Sequence, residues 1–213
     1  MPKKYKVLLF DMDGTIAYTD QMIFHTFYDL YDLYNPSNKK SEDKLIYFSG
    51  PPLKETLPKE FPNQDWHFMY DEFIRISKPY YDKYVVPFAG EIEALEKFKK
   101  AGYKMAVVTN KGHDMAEYVL KLLHIDHLID FVVGNGDTKE NKPHPEGVEL
   151  ALSRFNASKK DALYIGDNDI DYITSKNASI DSLICAWGPR KLTVLDKCTY
   201  VVHSYRDMED ILL

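Results

Sequence analysis

The sequence predicts an α/β fold in which a parallel β-sheet is covered by helices and interrupted by one inserted helical segment. Three observations support this prediction. Short apolar stretches alternate with amphipathic ones along most of the chain, which is typical of βαβ units. Polar clusters follow several apolar stretches, as expected at the carboxyl ends of parallel strands. Between Thr15 and about Val85 the alternation stops, and only helical patterns remain.

The first element is a short buried strand over residues 5–10, because an apolar run there ends abruptly at the polar segment DMDGT of residues 11–15. The later elements follow from the same two patterns. Helix 91–100 is amphipathic and stops at Ala101 and Gly102, and helix 145–155 begins at a proline, Pro145. The remaining elements are predicted as helices over 114–123 and 170–178 and as strands over 105–108, 131–133, 162–165, 183–186 and 200–202.

The segment after the first strand is predicted to be helical. Ile23, Phe27 and Leu30 follow the 3/4 spacing of a buried helix face, and a second such pattern runs over 70–74. A rigid turn, SGPPL at 49–53, separates them and leads into a helix over 54–57. We therefore predict two domains, a catalytic core of 1–16 and 84–213 and a helical cap of 17–83. The helical cap lies beside the predicted site, and this position favours a movable lid over a helical subdomain that never moves.

Composition excludes several classes of protein. The 213 residues include 27 Lys and Arg against 33 Asp and Glu, so the net charge of −6 argues against a nucleic-acid partner. No apolar run approaches the roughly 20 residues that span a bilayer, so we expect no membrane association. Two cysteines and no secretion-type apolar leader predict a cytoplasmic protein. A monomer is the default expectation.

Asp11 and Asp13 are the first candidates for chemistry. Two carboxylates this close repel each other and favour a divalent cation between them, and oxygen ligands favour Mg²⁺. The alternative is a polar turn whose acids cap the following helix.

Three further loops add candidate residues at the same edge of the sheet. Thr109 offers a hydroxyl, or else caps a helix, and Asn110 follows where we expect helix N–H groups to favour an anion. Lys142 lies in a loop that two prolines stiffen. Asp167 is placed as a metal ligand, while Asp171 either orients Lys142 or reaches the metal through water.

The candidates lie in four loops, which follow one another along the chain and carry first Asp11 and Asp13, then Thr109, then Lys142 and last Asp167 with Asp171. The residues of these loops and their order resemble the four motifs of the haloacid dehalogenase superfamily. The segments VPFAG at 86–90 and SGPPL at 49–53 are similar to its phosphoglycolate phosphatase-like branch. The resemblance covers nearly the whole chain. It implies a Rossmann-like core with a small helical cap of the first (C1) cap class.

The resemblance also implies roles for the residues. Asp11 would attack phosphorus and form an aspartyl-phosphate, and Asp13 would protonate the leaving oxygen and then activate water. Mg²⁺ would bind the carboxylates of Asp11 and Asp167 and the backbone carbonyl of Asp13. Thr109 and Lys142 would hold the phosphoryl oxygens. The remaining residues expected to contact the substrate are Asn110, Gly14, Ser49, Gly50 and Pro51.

The acid at position 13 narrows the range of possible reactions, because dehalogenases and phosphonate-cleaving members of the superfamily lack an acid there. The expected activity is Mg²⁺-dependent hydrolysis of a small phosphate monoester, phosphoglycolate-like. A pyrophosphatase, a nucleotidase and a sugar-phosphate mutase similar to β-phosphoglucomutase remain open as alternatives. A non-enzymatic phosphoacceptor module of the receiver type is a remote one, because the helical insertion and Asp13 fit it badly.

Overall fold

Six strands form a single parallel sheet at the centre of the molecule. The computed structural model describes residues 4–213. The strands lie in the order β3-β2-β1-β4-β5-β6, and every neighbouring pair is parallel. Their bounds are Val7–Phe10 for β1, Lys104–Gly112 for β2, Phe131–Asn135 for β3, Ala162–Gly166 for β4, Asp181–Cys185 for β5 and Tyr200–Val202 for β6.

The α/β prediction is confirmed, and the sequence of β1 explains why this strand is central. All four of its residues are buried. Leu8 and Phe10 belong to one apolar cluster and Val7 and Leu9 to another, so helices cover both faces of the sheet. The strand order reverses between β1 and its two neighbours, and loops at such a point form a crevice.

Nine α-helices surround the sheet within residues 4–213. Four of them, α1 to α4, lie between β1 and α5, and the other five, α5 to α9, accompany the remaining strands. Their bounds are Asp20–Tyr34, Glu42–Leu45, Leu53–Glu60, Trp66–Tyr84, Glu91–Lys100, His113–Leu122, Glu146–Arg154, Asp169–Ala178 and Tyr205–Leu212. None of the helices in the described part is long and apolar enough to cross a membrane.

The segment between β1 and α5 is helical, as predicted. Within the described chain it holds no strand, although Tyr18 and Val86 form an isolated bridge where the segment joins the sheet domain. Phe27 of α1 contacts Phe73 of α4, with ring centroids 5.7 Å apart. Tyr80 of α4 donates a hydrogen bond to Asp29 of α1 at 2.6 Å. The domain limits of 17 and 83 stay a prediction.

Two elements differ from the sequence prediction. Strand β2 continues beyond 108 to Gly112, so Thr109 and Asn110 lie in extended chain and the expected helix start at Asn110 is wrong. The pairing register shifts between Val108 and Gly112, and Gly112 then pairs with Asn135 of β3. Helix α9 was not predicted.

Candidate active site

Asp11 and Asp13 lie in the loop that follows β1, at the crevice. The backbone N–H of Asp11 donates to the carbonyl of Ile165 at 2.8 Å, which fixes the chain beside β4. Gly14 then adopts a φ of +84°. A Cβ atom on Gly14 would overlap the carboxylate of Asp167, so only glycine allows this close approach. Gly14 therefore contacts the acidic cluster and does not line the cavity described below.

Lys142 joins the loop after β3 to two carboxylates. Its Nζ lies 2.8 Å from Asp11 Oδ1 and 2.7 Å from Asp171 Oδ1, and all three side chains are buried. Burial alone would lower the pKa of Lys142, but Asp11 and Asp171 raise it well above its ordinary value. Lys142 is therefore a fixed positive charge beside Asp11.

Asp171 is held from the opposite side by backbone N–H groups. Its Oδ2 accepts hydrogen bonds from the N–H groups of Asp167 at 3.1 Å and Asn168 at 3.0 Å, the latter as part of a capping box at the start of α8. Both carboxylate oxygens thus have partners. This arrangement suits a residue that orients Lys142.

Asp167 follows β4 and lies next to both of these acids. Its Oδ1 accepts a hydrogen bond from Thr15 Oγ1 at 3.1 Å. Burial, together with the nearby carboxylates of Asp171 and Asp11, raises the pKa of Asp167 despite an adjacent arginine, Arg190. One oxygen each from Asp11, Asp167 and Asp171 lies within 4.8 Å of the others.

Arg190, which sequence reasoning missed, completes this cluster. It lies beyond β5 and is 8% exposed. Its guanidinium donates to Asp167 Oδ2, to Asp20 Oδ1 at 3.0 Å and to the carbonyl of Ile46 at 2.9 Å. Asp20 and Ile46 belong to the helical segment, so one side chain connects that segment to the acidic cluster. Its one sequence signal is a basic residue in the turn after a strand.

The donor set fits a divalent cation. Around Asp11 the ion pairs involve five carboxylates and three cations, two more negative charges than positive. Asp11 Oδ1 and Asp13 Oδ1 are buried and accept no hydrogen bond from the described residues, although Asp11 Oδ1 contacts Lys142 as an ion pair. Hard oxygen ligands with excess negative charge are what Mg²⁺ prefers.

The crevice opens into a cavity of about 250 Å³ between the sheet and the helical segment. It brings together seven of the predicted residues, which come from both domains of the prediction. They are Asp11, Asp13, Ser49, Gly50, Pro51, Thr109 and Asn110.

Asn110 connects the cavity wall to two other loops. Its Nδ2 donates to the carbonyl of Gly50 at 2.8 Å, and its Oδ1 accepts from the N–H of Lys142 at 2.9 Å. Ser49 contacts the core in a similar way, since Asn168 Nδ2 donates to its carbonyl at 3.3 Å. The turn at 49–51 thus closes over the site.

Comparison of the sequence with known protein families shows which family the chain belongs to. Residues 8–185 match the family of haloacid dehalogenase-like hydrolases. The chain belongs to that family. The predicted superfamily and the prediction of a hydrolase are therefore confirmed, and the Rossmann-like core agrees with them.

Relatives of this haloacid dehalogenase-like hydrolase accord with the predicted phosphatase class. The chain is 32% identical over 213 residues to pyrophosphatase PpaX of Bacillus anthracis, covering 99% of this chain and 96% of the relative. It is 31% identical over 220 residues to pyrophosphatase PpaX of Listeria welshimeri, covering 98% and 100%.

Solved structures show the same fold. A predicted phosphoglycolate phosphatase from Haemophilus somnus superposes with a TM-score of 0.84 at 23% identity, covering all of both chains. A haloacid dehalogenase-like family hydrolase from Streptococcus pneumoniae gives a TM-score of 0.80 at 23% identity, covering 99% of each chain.

Proposed function

We propose that this hydrolase is a Mg²⁺-dependent phosphatase that cleaves a small phosphate monoester through an aspartyl-phosphate on Asp11. The observation that supports it most is the position of Asp11. This buried carboxylate lines the cavity, and its Oδ1 contacts Lys142 Nζ at 2.8 Å. Lys142 fixes the direction in which this carboxylate faces the cavity, where the carboxylate can attack an incoming phosphorus atom.

In the first step Asp11 attacks phosphorus, and the bond from phosphorus to the leaving oxygen breaks. Asp13, on the same cavity wall, gives its proton to that oxygen. Lys142 and the Thr109 hydroxyl stabilise the negative charge on the phosphoryl oxygens. Asp13 then takes a proton from water, whose oxygen attacks phosphorus and releases inorganic phosphate and the Asp11 carboxylate.

The metal and the helical segment complete the proposal. Asp11, Asp167 and the Asp13 carbonyl would hold Mg²⁺, whose positive charge would offset repulsion between the carboxylates and a phosphate dianion. Residues 17–83 act as a cap that excludes bulk water, with Ser49, Gly50 and Pro51 at the substrate. Asp171 keeps Lys142 aimed at Asp11.

Pyrophosphate is the second candidate substrate, since the PpaX relatives carry that activity in their names. It requires the same steps, with phosphate as the leaving group.

The test is phosphate release from a panel of phosphoglycolate, pyrophosphate, p-nitrophenyl phosphate, nucleoside monophosphates and hexose phosphates, with Mg²⁺ and with EDTA. We expect steady turnover that EDTA abolishes, and loss of turnover in Asp11→Asn with an unchanged circular dichroism spectrum. Full activity of Asp11→Asn would overturn the mechanism. Isomerisation of a hexose phosphate without phosphate release would identify a mutase. A single phosphorylation of the protein without turnover would identify a receiver-type module.

A further inference from the structure

The walls of the active-site cavity differ in the polarity of their side chains. The helical segment contributes mainly apolar side chains, among them Met22, Phe27 and Phe73. Two lysines that line the cavity are not used by the reaction steps above, the exposed Lys54 and the largely buried Lys111. An ammonium group facing an apolar wall is costly unless anions pair with it.

Lys111 lies in β2 and reaches into the cavity beside Asp13. Its Nζ is 3.0 Å from Asp13 Oδ2 and 3.0 Å from the hydroxyl of Tyr81, and it lies 5.2 Å from the centre of the Tyr81 ring. The Lys111 side chain is 9% exposed. Lys142, the other buried lysine of the site, instead contacts Asp11. The nucleophile and the proposed proton donor therefore each have their own lysine.

This division separates two sides of the bound substrate. Lys142 lies where the transferred phosphoryl group would be attacked. Lys111 lies beside Asp13, which must reach the leaving oxygen to protonate it. Lys111 is thus on the leaving-group side of the bond that breaks.

Hydrogen-bonding capacity remains at this position. A lysine ammonium has three N–H donors, and two of those of Lys111 have partners among the described residues. The Tyr81 hydroxyl accepts from Lys111, and its own hydrogen has no acceptor among the described contacts. Both groups line the cavity. Two buried donors that line the same cavity favour an acceptor between them. An anion there also balances the lysine charge in the state in which Asp13 carries the proton that it donates.

We propose that Lys111 and Tyr81 form a subsite for a second anionic group, a phosphate or a carboxylate, on the leaving group of the substrate. The inference rests on the proposed function and deepens it, because it defines the substrate class as small molecules with an anion close to the scissile phosphate. Tyr81 belongs to α4 of the helical segment and Lys111 to β2 of the sheet, so the subsite exists only when the two are together. The cavity of about 250 Å³ suits a leaving group of a few heavy atoms.

A simpler role for Lys111 would be to orient Asp13. That role affects substrates with equally basic leaving oxygens equally, because these oxygens need the proton of Asp13 to the same degree. A subsite affects only substrates whose leaving group carries an anion. The two roles therefore differ in the ratio of kcat/KM between substrates.

The experiment compares pyrophosphate with p-nitrophenyl phosphate and phosphoglycolate with ethyl phosphate. Within each pair the leaving oxygens are of similar basicity, and only the first substrate carries a second anionic group on its leaving group. We expect Lys111→Met to lower kcat/KM for pyrophosphate and phosphoglycolate about 30- to 100-fold more than for the matched substrate of each pair, the size of one charged hydrogen bond. Lys111→Arg should recover part of the loss. Tyr81→Phe should shift the same ratio by about 5-fold. The substrate with the larger ratio identifies the anion as phosphate or carboxylate.

Two matched controls and one binding measurement complete the design. Lys78→Met, on the exposed face of α4, and Tyr118→Phe, whose hydroxyl contacts Asp82 outside the cavity, should leave the ratios unchanged. Calorimetry with phosphoglycolate in Asp11→Asn, with and without Lys111→Met, measures binding without turnover. We expect the second substitution to weaken binding at least 10-fold.

The outcomes separate the subsite from the proposed function. If the wild type hydrolyses these substrates and Lys111→Met lowers kcat/KM equally within each pair, the subsite is overturned and the phosphatase stands. If the wild type hydrolyses none, the proposed function fails. Calorimetry then still decides whether Lys111 binds the anion, since equal affinity with and without Lys111→Met overturns the subsite.

Discussion

Arg190 and Asp167 form a buried ion pair in which Nη1 of the arginine donates to Oδ2 of the aspartate. The same guanidinium donates to Asp20, the first residue of α1. One cation therefore compensates two carboxylates, and one of them is a proposed metal ligand. Because the two acids come from different parts of the fold, Arg190 connects the position of the helical segment to the acidic cluster.

Replacement of Arg190 by methionine should destabilise the protein by about 3–5 kcal/mol, because it leaves two buried carboxylates without their partner. Added Mg²⁺ should raise the Tm of the variant more than that of the wild type, since a divalent cation replaces part of the lost charge. Thermal unfolding with EDTA and with Mg²⁺ measures both effects. Arg206→Met, whose side chain is 75% exposed, is the matched control. A Tm shift no larger than that of the control would contradict the prediction.

Asp171→Asn should lower kcat about 10- to 100-fold, as is typical when a residue that orients a site group is altered. The variant keeps the shape of the side chain but weakens its hold on Lys142 Nζ, which lies 2.7 Å away. Asp169→Asn, on the same turn of α8 but bonded to Thr193 at the surface, should retain activity. Steady-state kinetics on one substrate is the measurement, and equal kcat values for the two variants would show that Asp171 does not orient Lys142.

The positions of the acids near the sheet edge could be predicted from the sequence. The prediction needs only the end of each apolar strand, because parallel strands that are neighbours end at the same edge of the sheet. Asp11 and Asp167 each follow an apolar strand directly, and neighbouring parallel strands end at the same edge. Arg190 could not be placed, because its partners Asp20 and Ile46 lie 170 and 144 residues away. No pattern within a window of sequence reports such a contact.

Lys111 shows a different limit of the sequence prediction. The sequence predicts a helix start at Asn110, the residue before Lys111, where backbone N–H groups would favour an anion. The chain instead stays extended to Gly112 by pairing with β3. The pairing with β3 is irregular between Val108 and Gly112, and Thr109, Asn110 and Lys111 all line the cavity, where the lysine ammonium contacts Asp13.

Glu91 should make stability depend on pH. Burial raises the pKa of its carboxyl from 4.5 to about 8, although the N–H of Phe88 donates to it. The folded state thus binds the proton more tightly than the unfolded state. The stabilisation is complete below about pH 4.5 and is lost as the pH rises through 8, with a slope of at most about 1.4 kcal/mol per pH unit.

Glu91→Gln should remove this contribution, so the free energy of unfolding in EDTA should fall less steeply between pH 5 and 8 than in the wild type. Urea unfolding at several pH values measures the slope. Glu93→Gln, exposed on the same helix, should behave like the wild type. Parallel curves for the wild type and Glu91→Gln would refute this contribution.

Gly50→Ala should impair closure of the turn at 49–51 over the site. Gly50 has a φ of +111°, and a Cβ atom there would lie 2.8 Å from Nδ2 of Asn168, which holds the carbonyl of Ser49.

Gly136→Ala is a matched control, because its φ is +106° and its Cβ would meet nothing within 4 Å. Both variants carry the backbone cost of about 1–3 kcal/mol, so their Tm values should fall alike. Only Gly50→Ala should lower kcat/KM, by about 10-fold or more, because only it separates the turn from the core. Equal kcat/KM in the two variants would mean that the contact between the turn and Asn168 does not contribute to catalysis.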